Sequence, residues 1–256
     1  MSFEQELRAA VEAARAAGVE VARMRQEGLR FGRKGGRELV SEADIRAAEM
    51  LYSALHGAFP DDGWLSEEHV DTAHRLRQDR VWIVDPIDGT REYLSGVPEY
   101  AISVGLVVAG APVLGVVYNP AKDELHAAVV GAEGQAAAAS AHLKAQHDIL
   151  VGRGEQEWDD IPPLPAGSKT RGVGSVAYRL ALIAAGKGDA VITGYGRSEW
   201  DVAAGAAICQ AAGITVTDVL GEPLRFNQPS PSVRGLLVAA PKLHAHLLGH
   251  LRRYLR

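Results

Sequence analysis

Four consecutive large apolar residues, Val81-Trp82-Ile83-Val84, run directly into Asp85-Pro86-Ile87-Asp88-Gly89-Thr90. A short apolar run without polar alternation suits a fully buried strand, and Pro86 with Asp88-Gly89 ends it. The chemistry then lies at the strand's carboxyl end. Two carboxylates three residues apart across a proline-fixed turn can point at a common centre, with the Ile87 carbonyl as a neutral oxygen ligand. An all-oxygen set lacking His and Cys selects Mg2+ or Mn2+ over zinc. A plain turn at Asp88-Gly89 with Asp85 as a strand-end cap accounts for the same residues, and both readings stand here.

Around this strand the pattern is mixed. Apolar residues at helical spacing over residues 3–24 (Leu7, Ala10, Ala14, Ala17, Val21, Met24) predict a first helix. A Gly- and Arg-rich loop follows. Ser41 with Asp44 three positions on forms a capping box that opens a second helix through Leu55. Three further strands are expected after the buried one, ending near Val130. The second half alternates: strands near Ile149, at 190–193, near Ile214 and near Leu236, and helices over about 175–185, about 199–212 and from Pro241. Two helices followed by strands argue for α+β in the first half, and the alternation argues for α/β in the second. The shift to Ala, Gly and Ser over 131–144 places a lobe boundary there, giving lobes of residues 1–140 and 141–256.

Several functions are excluded early. With 27 basic and 32 acidic side chains the formal net charge is −5, which offers no global field for polymeric nucleic acid. Cys209 is the only cysteine and sits in an Ala-rich stretch that reads as a buried helix, so disulfides and Cys-based zinc sites are out. The uncharged segment 101–118 is nearly long enough to span a bilayer. It is broken by Gly105, Gly110, Gly115 and Pro112 and rich in valine, so two buried strands joined at 109–112 are expected instead of a membrane helix. No apolar signal block opens the chain, and a cytoplasmic enzyme is the expectation.

Val84-Asp85-Pro86-Ile87-Asp88-Gly89-Thr90, with Leu39-Val40-Ser41-Glu42-Ala43-Asp44, Ser66-Glu67-Glu68 and Trp200-Asp201-Val202-Ala203-Ala204-Gly205 in that order, resembles the inositol monophosphatase superfamily. That superfamily includes fructose-1,6-bisphosphatases and 3'(2'),5'-bisphosphate nucleotidases. The resemblance implies an α+β fold, a layered α-β-α-β-α sandwich. It implies a small-molecule phosphate ester hydrolysed with two or three Mg2+ ions, Mn2+ as a substitute, and inhibition by Li+. Carried over residue by residue, Glu67, Asp85 and the Ile87 carbonyl hold one metal, while Asp85, Asp88 and Asp201 hold the second. Such a pair activates water and stabilises the leaving oxygen. Thr90 pairs with Asp44, and together with Glu67 they are the catalytic candidates. The Gly89 and Thr90 amides cradle phosphate, and Gly172-Val173-Gly174-Ser175 leads into a helix whose first amides face substrate. The family includes dimers and monomers, so a homodimer stays open. Ordinary alternatives stay open too: Asp44 as a capping acid alone, Glu67 as an acidic loop residue, and Asp201 as a helix-start carboxylate.

Which ester is the finer question. Arg91-Glu92-Tyr93 after Thr90, Ser198-Glu199-Trp200-Asp201, and Pro223-Leu224-Arg225-Phe226-Asn227-Gln228 resemble the bisphosphate nucleotidase (CysQ-type) branch, which removes the 3'-phosphate of 3'-phosphoadenosine 5'-phosphate. Gly194 stands seven positions before Asp201, where the inositol branch carries a sugar-binding acid. Arg91 and Arg197 can meet a second phosphate bidentately or be surface residues. Inositol 1-phosphate or another sugar phosphate is the rival, and a catalytically silent phosphate- or metal-binding protein is a third reading. The G-x-G-x-x-A pattern at 172–177 lacks a preceding buried strand and argues weakly for a dinucleotide. No G-x-S-x-G elbow surrounds Ser175. His244, His246 and His250 are expected on a solvated helix face.

Overall fold

The computed structural model describes residues 3–28, 31–34, 38–132, 145–158 and 160–254. Its first helix, α1 (Glu4–Glu27), buries Ala10, Ala13, Ala14, Ala17 and Val21 along one stripe. The Gly- and Arg-rich stretch after it, expected as loop, carries an antiparallel ribbon, β1 (Phe31–Lys34) and β2 (Glu38–Ser41). The expected capping box is present: Ser41 and Asp44 bond reciprocally at the start of α2 (Glu42–Ala58). Next comes β3 (Gly63–Ser66), a strand the sequence reading lacked, then a 3-10 turn at Ala73–Arg77, β4 (Arg80–Asp88) and the short α3 (Thr90–Ser95). β5 (Ala101–Val108), β6 (Ala111–Asn119) and β7 (Glu124–Val129) complete a five-stranded sheet ordered β3-β4-β5-β6-β7. The uncharged 101–118 segment is thus the β5–β6 hairpin, turned through Ala109 and Gly110 at positive φ. No helix among the described residues is long and apolar enough to cross a membrane.

The second half supplies β8 (His147–Val151), α4 (Arg153–Glu157), β9 (Ser168–Gly172), α5 (Val176–Ala184), β10 (Ala190–Thr193), β11 (Arg197–Ser198), α6 (Glu199–Ala211), β12 (Thr215–Thr217), β13 (Ser232–Val233), β14 (Leu236–Ala239) and α7 (Pro241–Leu251). Its sheet runs β12-β14-β10-β8-β9, parallel at β8–β9 and β8–β10 and antiparallel at β10–β14 and β14–β12. β9 is the polar run at 168–172. It lies at the sheet edge, where alternating polar residues are tolerated. The boundary expected between residues 140 and 141 lies outside the described residues.

Strand periodicity explains the layering. Along β4, Trp82 and Val84 pack with α1 and α2, while Val81 and Ile83 join Leu180, Ala203, Ala204 and Ile208 of α5 and α6 on the other face. Val191, Leu236 and Val238 of the second sheet meet the same two helices. On that sheet's far face Ile149, Ile192 and Leu237 pack with Leu243, Leu247 and Leu251 of α7. The result is an α-β-α-β-α sandwich. Helix α6 lies almost on the backbone of the first sheet, since a Cβ built on Gly115 would stand 2.1 Å from the Ala204 carbonyl oxygen.

Helix α7 departs from the expected solvated histidine face. His244 is buried, with Nε2 2.9 Å from Thr217 Oγ1, whereas His246 is exposed. Cys209 is buried as expected, its thiol donating to the Leu180 carbonyl, and burial pushes its pKa upward.

Candidate metal and active site

Parallel pairing sets Ser66 beside Val84, so Glu67, the residue after β3, falls alongside Asp85 of β4. Then β4 bulges. Pro86 has no amide to give the ladder, and the Ile87 amide donates to Asp85 Oδ1 at 3.0 Å instead. From Asp85 to Asp88, three steps of β4 pass two steps of β5, from Ser103 to Ala101. The extra residue leaves both aspartates buried at the strand end. Asp88 is then pinned by the start of α5: the Ser175 hydroxyl and the Ala177 amide each donate to Asp88 Oδ2 at 2.6 Å.

Asp201 arrives from the first turn of α6, where the Ser198 backbone amide bonds its carboxylate. Close packing of α6 on β5 brings it to the same place, and the Ser103 hydroxyl donates to the Trp200 carbonyl at 3.1 Å. One carboxylate oxygen from each of Asp85, Asp88 and Asp201 lies within 4.8 Å of the others. Glu67, partly buried, is outside that trio, although its charge reaches Asp85.

This grouping is electrostatically incomplete. Burial, then the charges of Glu67, Asp88, Asp201 and Asp44, push Asp85 well above the usual carboxylate range. Burial and the charges of Asp88 and Glu67 do the same to Asp201. Burial raises Asp88 as well, opposed by the Ser175 and Ala177 hydrogen bonds. Clustered carboxylates with all-oxygen donors fit a hard divalent cation, which would supply the missing positive charge. The buried Ser66 hydroxyl, next to Glu67, has no hydrogen-bond partner among the described residues.

The two interpretations of Asp44 turn out to be compatible. Its Oδ2 accepts from the Ser41 amide at 2.8 Å and the Ser41 hydroxyl at 2.5 Å, while its Oδ1 lies 3.0 Å from the Thr90 hydroxyl. Thr90 Oγ1 is also 3.1 Å from the Ile87 carbonyl oxygen. Gly89 turns the chain at φ 93°, and a Cβ there would be 3.2 Å from the Glu99 carbonyl oxygen, so glycine alone fits both the conformation and the space.

Beside Asp88 and Asp201 opens a cavity of about 480 Å³ whose lining includes Arg153, Trp158, Tyr195 and Arg197. Arg197 reaches it with its charge already engaged by Glu155 at 2.6 Å. Glu155 also accepts from the fully buried Arg179 at 3.3 Å and from Thr193 Oγ1 at 2.5 Å. Arg153 makes a two-pronged pair with Glu99. Arg91 is more than half exposed, 3.8 Å from Glu157, with its guanidinium 6.0 Å from the centre of the Trp158 ring. Ser175, expected at the substrate, is fully buried and spends its hydroxyl on Asp88. Sequence reasoning missed Glu155, Trp158, Arg179 and Tyr195. Trp158 alone gave a signal, as a large aromatic residue in a polar stretch running into Ile161-Pro162-Pro163.

An α-β-α-β-α sandwich with oxygen-only acids gathered at a strand end is the arrangement of a family of metal-dependent phosphoric monoester hydrolases, and the chain's match to that family is extensive. Residues 3–256 match the inositol monophosphatase family, and the chain belongs to that family. The inositol-1-monophosphatase of Mesorhizobium japonicum is 34% identical over 210 residues, spanning 76% of this chain and 77% of its own length. The extragenic suppressor protein SuhB of Bartonella henselae superposes with a TM-score of 0.82 at 28% identity, covering 98% of this chain and 100% of that one. CysQ of Bacteroides thetaiotaomicron, a bacterial member of the family, superposes at 0.74 with 29% identity, covering 93% and 98%. Most of the curated relatives are named inositol monophosphatases, while CysQ stands among the structural neighbours; together the comparisons define the family.

Proposed function

We propose that this phosphatase acts on an ester whose leaving group carries a flat base and a second phosphate, with 3'-phosphoadenosine 5'-phosphate, cleaved at its 3'-phosphate, as the preferred substrate. The observation that carries this reading is the cavity beside Asp88 and Asp201, with the exposed rings of Trp158 and Tyr195 in its lining and Arg91 against Trp158. Aromatic faces stack on a purine, and such stacking contributes about 1–3 kcal/mol per base. A polyhydroxylated ring needs free acceptors instead, and of the acids in the lining away from the metal cluster Glu92 and Asp160 remain for that role. Glu155 is committed to Arg179, Arg197 and Thr193, and residue 194 is glycine.

In this reading Glu67, Asp85 and the Ile87 carbonyl would hold one Mg2+, and Asp85, Asp88 and Asp201 would hold a second. Bound Mg2+ supplies the positive charge that makes a water nucleophilic and stabilises the leaving oxygen. Thr90, with its proton directed to Asp44 Oδ1, presents its oxygen as an acceptor that orients the attacking water. The Gly89 and Thr90 amides contact the phosphate. Asp88, fixed by Ser175 and Ala177, keeps its orientation without substrate. The same oxygen set would accept Mn2+ in place of Mg2+, and Li+ would be expected to inhibit.

Inositol 1-phosphate is the second reading, favoured by the 34% identity to a protein named for that activity. The two separate by kcat/KM measured on both esters at saturating Mg2+. The nucleotide should lead by at least about tenfold, or about 1.4 kcal/mol of transition-state binding. Trp158→Ala and Arg91→Ala should lower the nucleotide value by about tenfold and leave the inositol phosphate value nearly unchanged. A higher kcat/KM for inositol 1-phosphate would reverse the ester assignment while leaving the metal chemistry in place.

A further inference from the structure

Outside the cavity lies a buried polar cluster that the chemistry described so far does not use. Arg75, in the 3-10 turn between β3 and β4, is 2% exposed. Its Nε and Nη2 donate to the two oxygens of Asp71 at 2.7 and 2.8 Å. The other face of the guanidinium crosses 152 positions of sequence: Nη1 donates to Asn227 Oδ1 at 2.7 Å, and Nη2 donates to the Gln228 carbonyl at 3.0 Å. Asn227 answers by donating its side-chain amide to the Arg75 carbonyl at 3.0 Å. Glu199 closes the chain of contacts, because its two carboxylate oxygens accept the Asn227 and Gln228 backbone amides at 2.6 and 2.9 Å.

What these contacts join is informative. Asp71 and Arg75 lie four and eight residues after Glu67, and Glu199 opens α6 two residues before Asp201. Glu199 is fully buried, and burial raises its pKa against the lowering by the two amides. A buried acid beside a buried arginine, both hydrogen-bonded to the Asn227–Gln228 turn and the arginine also to Asp71, costs desolvation that a core packing role does not require. Polar networks of this kind fix geometry.

We propose that Arg75, Asn227 and Glu199 form a clasp that sets the separation between the Glu67 segment and the start of α6, so that Arg75 is a positioning residue for the metal-binding carboxylates. The inference rests on Glu67 and Asp201 being metal ligands. It also gives the 224–228 segment a role different from substrate recognition. Asn227 occupies the left-handed region at φ 59°, so Asn227→Gly keeps that backbone and the Glu199 contacts while removing the bracket on Arg75.

The test is calorimetric titration of Mg2+ and Mn2+ into the full-length protein without substrate, on wild type, Asn227→Gly, Arg75→Met and the ligand control Asp201→Asn. Thermal denaturation with and without metal, and kcat and KM at saturating metal, complete the set. Asn227→Gly and Arg75→Met should weaken metal binding between about 10- and 100-fold, the range for groups that orient metal ligands. They should also shrink the metal-induced rise in Tm, with KM at saturating metal changed less than twofold. Unchanged metal affinity in either folded variant, with Asp201→Asn weakened, would overturn the clasp. Unchanged affinity in Asp201→Asn would overturn the ligand reading beneath it. If Arg75→Met fails to fold, Asn227→Gly decides.

Discussion

The two sheets are built to different standards. β4, β5 and β6 in the first are nine, eight and nine residues long and paired along most of their length, each ladder interrupted by one register shift. In the second, β8, β10, β12 and β14 have five, four, three and four residues. The first sheet delivers Asp85 and Asp88 from a strand end held on both faces. The second region delivers Trp158, Tyr195 and Arg197 from turns and very short elements around its sheet. Long ladders hold reacting groups to a narrow geometry, while loops accommodate change in what is recognised. Under the proposed function, turnover rests on the first region together with Asp201 of α6, and ester choice on the second together with Arg91.

The largest expected effect breaks that assignment if it fails. Asp85→Asn keeps volume and removes one charge from the centre of the acid cluster, so kcat should fall at least about 100-fold, the scale of losing one strong electrostatic group from a reaction centre. Because burial and neighbouring acids already disfavour the charged form of Asp85, the variant measured in chelator should melt no lower than wild type. In the second region, Tyr195→Ala should change kcat less than about tenfold and act mainly through KM. An equal loss of kcat in both variants would dissolve the division of labour.

A pair of glycine substitutions sharpens the same contrast in stability. Gly115→Ala on β6 drives a Cβ into the Ala204 carbonyl oxygen, which is backbone of α6 and cannot swing aside. Overpacking of this kind costs about 1–3 kcal/mol, and since α6 carries Asp201 activity should fall with Tm. Gly249→Ala, on α7, meets nothing within 4 Å. It should raise stability by about 0.5–1 kcal/mol through helix propensity and leave kcat unchanged. Differential scanning calorimetry with parallel assays checks both.

Much of this contrast was legible beforehand, for a physical reason. A strand buried on both faces must be continuously apolar, so 81–84 and the acids after it stood out, as did the Ser41–Asp44 capping box and the Gly-broken hairpin at 101–118. The sandwich followed from the family resemblance, and strand alternation explains how the chain meets it. β3 escaped notice because four residues after a helix-ending turn carry little periodicity. The Glu155 cluster escaped because its partners at 179, 193 and 197 meet only after folding. The Asn227 contacts were hidden for the same reason, since its partners Arg75 and Glu199 lie 152 and 28 positions away in sequence.

His244 was misjudged by ignoring helical phase, and it yields the smallest and most specific effect. It stands three positions before Leu247 and seven before Leu251, on the stripe that α7 buries. Burial holds its pKa below the ordinary 6.5, against an opposing hydrogen bond with the Leu237 backbone. The sign follows from proton counting. Well above pH 6.5 the imidazole is neutral in both folded and unfolded chains, so pH has no effect through it. As pH falls below 6.5 the unfolded chain takes up a proton that the folded chain resists, and stability declines until the folded pKa is reached. His69 and His126, near the first sheet, are lowered by burial as well and contribute in the same direction. His244→Gln, which retains a polar partner for Thr217, should make the decline of Tm between pH 6.5 and about pH 5 shallower than in wild type, with the contribution of the first region left in place. Identical slopes in the two proteins would mean that the core under α7 admits a charged imidazole as readily as water does.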